Sequence, residues 1–214
     1  MTDRRALQGA QDHSAGCSEP PETLLLEAIH AAVAAGVDWI QIREKDLAGR
    51  ASAELARLAV ADARGTITRI LVNGRLDVAL VAGAEGVHLG ESSLPAQAVA
   101  DWRRSAGRPE FQIGVSCHSL KRAREAERSG ADYIFFGPVF ATPSKAAFGP
   151  PQGTELLREV CDSVGIPVLA IGGVTLENAR SCIAAGSAGI AAIRLFQQGR
   201  HVAERIARLR EINE

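Results

Sequence analysis

Apolar residues fall along the chain in short unbroken runs, separated by longer alanine-rich stretches in which apolar and charged positions recur with helical spacing. Four of these runs share one phrase, a helix-like segment closing on Ala-Gly or Ser-Gly and then a few apolar residues: AAGVDWIQIR, VAGAEGVHLG, RSGADYIFFG and AAGSAGIAAIR. Their glycines, Gly36, Gly83, Gly130 and Gly186, are 47, 47 and 56 residues apart. A period of that size is one or two supersecondary units. Between the copies lie three further apolar runs, RILVN (residues 69–73), FQIGVS (111–116) and IPVLAIG (166–172), each preceded by an amphipathic segment.

Glycine at a helix end predicts a left-handed cap, and runs without polar alternation suit parallel strands covered on both faces. Alternating βα units in this number predict an α/β protein with a (β/α)8 TIM-barrel fold, and the length of 214 residues suits a single domain over 1–214. The rival, an open doubly wound sheet, would carry a GxGxxG turn after its first strand, and none is present. Seven strands are plain. The first of eight must be compressed into MTDRR, so it is short and frayed, or the sequence begins inside it.

In such barrels the chemistry gathers beyond the C-terminal strand ends. There the sequence places Gln41-Ile42-Arg43-Glu44-Lys45-Asp46, Asn73-Gly74-Arg75, His88 to Ser93, Ser116-Cys117-His118, Gly172-Gly173 and Ile193-Arg194. The loop FGPVFATPSKAAFGPPQG adds Thr142, Ser144 and Lys145, and is long enough to close over the mouth between stiff Gly-Pro ends. Arg43, Lys45, Asn73 and Lys145 form a donor set suited to phosphate or pyrophosphate. Gly172-Gly173 before a helix, with the eighth strand's end, suits a second phosphate. Each motif alone has a plainer reading: Arg-Glu-Lys-Asp as a solvated charge run, Gly-Gly as a helix-entry turn. His88, within a strand, reads as a hydrogen-bonded core histidine, whereas His118, just past one, can carry a proton. Cys117 is a poor nucleophile candidate, because neighbouring residues on an extended segment point apart.

Composition narrows the partners. Lys plus Arg number 24 against 25 Asp plus Glu, so no basic field invites nucleic acid or a membrane surface, and a small molecule is the expected partner. The four cysteines have no metal-ligand spacing and read as free thiols of a reducing cytoplasm. No window reaches the roughly 18 apolar residues of a membrane span, and MTDRRALQGAQDHSAG has no apolar leader core. A barrel of this size commonly self-associates, although no feature specifies an interface.

Taken together, QIREKDL, LVNGRLDVAL, GVHLGESSLP, IGVSCHSL, GADYIFFGPVFATPSK, GPPQG and IPVLAIGGVTLENA resemble the thiamine phosphate synthase superfamily, which includes a thiazole tautomerase branch. The likeness runs from TDRRAL to about Gln198. It implies a TIM barrel and a transferase that joins a hydroxymethylpyrimidine pyrophosphate to a thiazole phosphate, releasing pyrophosphate with help from Mg²⁺. By resemblance Gln41, Arg43, Lys45, Asn73 and Lys145 match positions that hold the pyrimidine and its pyrophosphate, and Ser116, Thr142 and Ser144 match positions lining the pocket. Gly173, Ile193 and Arg194 match the thiazole-phosphate loops, where a serine is usual in place of Arg194. The family's Mg²⁺ ligands are two aspartates, and this chain has Gly74 and Ser93 there, which removes both metal carboxylates. That loss, and the shared Asn-Gly-Arg, favour the tautomerase branch, whose proton-carrying histidine matches His118. The retained Arg43, Lys45 and Lys145 favour the synthase. A binder of thiazole or thiamine phosphate that does no chemistry is a third reading.

Overall fold

The computed structural model describes residues 1–8, 20–142, 150–197 and 201–213. After a short helix α1 (Arg5–Gln8) and helix α2 (Pro21–Ala34), strands and helices alternate: β1 (Trp39–Ile42), α3 (Gly49–Ala63), β2 (Arg69–Asn73), α4 (Leu76–Ala82), β3 (Gly86–Leu89), α5 (Ala96–Ser105), β4 (Gln112–Cys117), α6 (Leu120–Arg128) and β5 (Tyr133–Phe136). The chain continues through α7 (Gly153–Ser163), β6 (Val168–Ile171), α8 (Ala179–Ala184), β7 (Gly189–Ala191), α9 (Arg194–Gln197) and α10 (Val202–Asn213). All seven strands are parallel and lie in sequence order, β1 to β7, in one curled sheet of TIM-barrel type.

The four glycines that mark the repeat all have positive φ, between 73° and 93°, which the left-handed end of a helix requires and a side chain would disfavour. Between sheet and helices lie two apolar layers. Ile40 and Ile42 pack with Leu25 and Ile29 of α2 and Leu55 of α3, while Val87, Ile113, Val115 and Ile134 pack with Val99 and Leu157. The opposite strand faces turn inward, where Leu71, Tyr133, Phe135 and Ala191 form a third cluster with Trp39, Leu169 and Ile171. This inner layer is the floor under the strand ends.

The first strand, expected to be short and frayed, is reduced to one backbone contact beside β1. Among the described residues no strand precedes Trp39; Met1 and Thr2 lie beside β1, and the Thr2 N–H donates to the Gln41 carbonyl at 2.8 Å. The chain then turns into α1, because Asp3 and Arg4 are drawn into polar contacts that an extended apolar strand would not make. Between β7 and β1 a mainly apolar cavity of about 660 Å³ runs from Pro167 and Ala188 up to Gln41 and Gln197. It spans the height of the sheet and meets the strand-end residues chiefly at Gln41.

Candidate active site

The loop after β1 is held from the N-terminus. Thr2 Oγ1 donates to Glu44 Oε1 at 2.7 Å and accepts the Arg43 N–H at 2.9 Å. Arg4 reaches Glu44 at 3.1 Å and Asp46 at 2.7 and 2.8 Å, and Arg5 adds a bond to Asp46 at 2.8 Å. The hydrogen bonds from Arg4 hold the Asp46 carboxyl low, at about 2. Thus Glu44 and Asp46 are engaged structurally, whereas the side chains of Arg43 and Lys45 form no ion pair among the described residues. The run Arg-Glu-Lys-Asp is therefore not a uniform solvated face: its acids anchor it and its bases are left over. Thr2 and Arg4 were not legible as partners of this loop, because only the fold joins segments some 40 residues apart.

Gln41 is 3% exposed on the inner face of β1, and its Nε2 donates to Asn73 Oδ1 at 2.8 Å across the β1–β2 pair. Its Oε1 is buried and has no partner among the described residues. A buried carbonyl oxygen without a donor is costly, so this acceptor is poised for a ligand N–H or O–H.

Ser116, on β4, is joined to the histidine of β3. His88 Nε2 lies 2.9 Å from Ser116 Oγ, and His88 Nδ1 lies 3.1 Å from the Tyr133 hydroxyl on β5. His88 is buried beneath the Phe135 ring, 4.2 Å between centroids, and burial pushes its pKa down to about 3. It is the core histidine that its place in a strand implied. Gly114 makes room for this cluster: a Cβ there would sit 2.1 Å from Tyr133 Cζ and 2.6 Å from His88 Nδ1. Cys117, next along, is fully buried and burial pushes its thiol up to about 12, which leaves no nucleophile there.

His118 follows β4 and is half-buried. Its Nδ1 is hydrogen-bonded to the Gly137 carbonyl, which can only accept, so Nδ1 carries the proton. Nε2, with no partner among the described residues, is left as the basic nitrogen.

The second predicted anion region is rearranged in emphasis. Gly172 and Gly173 have φ of 92° and 66° and lie under residues 138–141; the Val139 and Phe140 N–H groups donate to the Ile171 and Gly172 carbonyls at 2.9 and 3.0 Å. A Cβ on Gly173 would come within 2.6 Å of the Ala141 carbonyl oxygen. Close packing of that loop therefore accounts for both glycines. Ile193 is half-buried between β7 and α9, and the exposed Arg194 donates to Thr142 Oγ1 at 3.3 Å, which joins the loops after β5 and β7. Ser144 and Lys145 lie outside the described residues, with the central part of the loop read as a lid.

The positions of the two usual metal carboxylates face one another. Gly74, φ 69°, has Ser93 Oγ 3.1 Å from where its Cβ would be, and Ser93 Oγ accepts the Gly90 N–H at 2.9 Å. The nearby Asp77 is taken by Arg75 through bonds of 2.8 and 2.6 Å, which hold its carboxyl below the usual range. Among the described residues no three His, Cys, Asp or Glu side chains gather as a metal site. Gly74 and Ser93 do not fit the role of the two usual Mg²⁺ ligands, since a glycine offers no side-chain donor and a neutral, engaged hydroxyl is a poor ligand for a hard dication.

A parallel β/α barrel with a polar rim at its strand ends defines an enzyme-type scaffold. The profile of the thiamine monophosphate synthase family matches residues 15–196, and the chain belongs to that family. A protein of Geobacter sulfurreducens is 48% identical over 171 residues, 79% of this chain and 78% of its own. The thiamine-phosphate synthase of Syntrophomonas wolfei is 36% identical over 214 residues, 100% of this chain and 94% of its own. Among solved structures, a thiamine phosphate pyrophosphorylase from Pyrococcus furiosus superposes with a TM-score of 0.80 at 33% identity, covering 99% of this chain and 92% of that one.

Proposed function

We propose that the protein is a transferase of thiamine assembly that joins a hydroxymethylpyrimidine pyrophosphate to a thiazole phosphate and releases pyrophosphate. The observation that carries this reading is the buried Oε1 of Gln41, without a partner among the described residues on an amide whose Nε2 donates to Asn73, on the strand whose following loop carries two cationic side chains that form no ion pair among those residues. Family membership supports it. In this reading Gln41 accepts a hydrogen bond from the pyrimidine and Ser116 meets it from β4. Arg43 and Lys45 neutralise the pyrophosphate, with Lys145 as a third cation and Asn73 orienting it.

The bond between the pyrimidine's methylene carbon and the pyrophosphate oxygen breaks with its electron pair leaving on oxygen. The carbon becomes a cation, and the thiazole nucleophile forms the new bond to it. Cations fixed where negative charge grows lower the barrier. Thr142, Ser144, Gly173, Ile193 and Arg194 serve the thiazole phosphate side. The protein works as a single domain in the cytoplasm on small phosphorylated substrates. Among the described residues no helix is long and apolar enough to cross a membrane, which accords with that reading.

A second reading, thiazole tautomerase, is favoured by His118, whose Nε2 is left as a base, and by Gly74 and Ser93 in place of two carboxylates. Incubation with both substrates, with and without Mg²⁺, separates them. Thiamine phosphate as product supports the transferase. Spectral change with a thiazole carboxylate phosphate alone, lost in His118→Ala, supports the isomerase. Binding of thiazole phosphate with neither reaction supports a binder.

A further inference from the structure

The geometry points to a hydrogen-bond chain of fixed direction, Tyr133 to His88 to Ser116, that leaves the Ser116 hydroxyl proton available to an acceptor atom of the bound substrate. Tyr133 and His88 are positioning residues in this scheme, and it rests on the reading of Ser116 as a substrate contact.

The direction follows from counting protons. Tyr133 is fully buried and His88 is 1% exposed, and each ring nitrogen of His88 faces one hydroxyl, Tyr133 Oη at 3.1 Å and Ser116 Oγ at 2.9 Å. A neutral imidazole carries one N–H and one lone pair, so only two arrangements are open. If Nδ1 carried the proton it would donate to Tyr133, and the phenolic proton would be left in a dry pocket. The space beside that hydroxyl is Gly114, whose absent Cβ would be 2.3 Å away, and no other partner of the hydroxyl occurs among the described residues. A buried orphan donor is costly. In the other arrangement the phenol donates to Nδ1, Nε2–H donates to Ser116 Oγ, and every buried group in the chain is satisfied. The imidazolium alternative is disfavoured by the same burial, which lowers the pKa to about 3. The Phe135 ring at 4.2 Å and the Tyr133 ring at 5.6 Å hold the imidazole in place.

The consequence lies at the end of the chain. Ser116 is the half-buried member, and once its oxygen accepts from His88 its own proton is left for a further partner. It therefore suits a ligand atom with a lone pair, a ring nitrogen or a phosphate oxygen. Gln41 Oε1 on β1 is the opposite, an acceptor seeking a donor. The strand-end site thus presents an acceptor at Gln41 and an available hydroxyl proton at Ser116.

The test is nitrogen NMR of the full chain with labelled histidine, the His88 signals being identified by their loss in His88→Gln. The expected result is a neutral ring with a pyrrole-type Nε2 and a pyridine-type Nδ1 throughout pH 5 to about 8. A protonated Nδ1 in the neutral ring, or an imidazolium at pH 6, would overturn the proposal. In Tyr133→Phe either tautomer leaves Nδ1 unpaired, so the bias is lost, both tautomers appear, and pyrimidine pyrophosphate binds about twofold more weakly as the donor-ready fraction halves. Retention of Nε2–H alone in that variant would remove the role given to Tyr133. If the variant does not fold, the wild-type spectrum decides. The spectrum is read without turnover, so a chain that catalyses neither reaction can still show or lack the fixed tautomer.

Discussion

Thr2 Oγ1 donates to Glu44 Oε1 at 2.7 Å, across 42 residues of sequence, and the same hydroxyl accepts the N–H of Arg43. This contact ties the first residues to the loop that bears Arg43 and Lys45. In Thr2→Val the shape is kept, but a carboxylate whose side chain is only 2% exposed loses a partner. The expected loss is about 1–3 kcal/mol, read as a lower urea midpoint with an unchanged slope.

His88 makes stability depend on pH. Unfolded, its imidazole titrates near 6.5; folded, it titrates near 3, because burial disfavours the charged form. Its folded pKa is depressed, so the contribution is fully present above pH 6.5 and is lost as pH falls from there towards 3, where only the unfolded chain takes up the proton. The slope is about 1 kcal/mol per pH unit within that window. Chemical denaturation at pH 7, 6 and 5 should show it, and His88→Gln should flatten that slope. An equal slope in the variant would assign the effect to other groups.

Much of this was legible because it is local. RILVN coincides with β2, the repeat glycines all adopt the left-handed cap, and the strand ends occur where the apolar runs stop. His88 was readable as a core residue from its place in an apolar run, yet its partners Tyr133 and Ser116 were not, since they meet it only through the register of β3, β4 and β5. The same holds for Glu44 and Asp46, acids that looked equivalent to their basic neighbours until the chain start folded onto them. That no strand precedes Trp39 among the described residues was signalled by the scarcity of apolar residues in MTDRR.

Gly173 couples packing to the site. An added Cβ there meets the Ala141 carbonyl oxygen at 2.6 Å on a backbone with φ of 66°. Gly173→Ala should cost at least about 2 kcal/mol, from the strained conformation together with overpacking. It should also displace the Thr142 loop, visible as a higher KM for the thiazole substrate than in wild type. An unchanged melting temperature would show that the loop yields freely.

Gly74 and Ser93 set the response to metal. The free protein should gain no thermal stability from millimolar Mg²⁺ and lose none to chelator, because binding only to the folded state is what would raise it. The double variant Gly74→Asp, Ser93→Asp should bind Mn²⁺ detectably by electron spin resonance, and wild type should not. Tight Mn²⁺ binding by wild type without pyrophosphate would mean that other carboxylates hold it.

Release of inorganic pyrophosphate on mixing the pyrimidine pyrophosphate with the thiazole phosphate tests the proposed transfer most directly. Release should match thiamine phosphate formed, one for one, and should slow by about 10²-fold or more in Arg43→Ala, the cost of removing one fixed stabiliser of the leaving charge. No release from wild type with or without Mg²⁺, alongside conversion of a thiazole carboxylate phosphate alone, would contradict it.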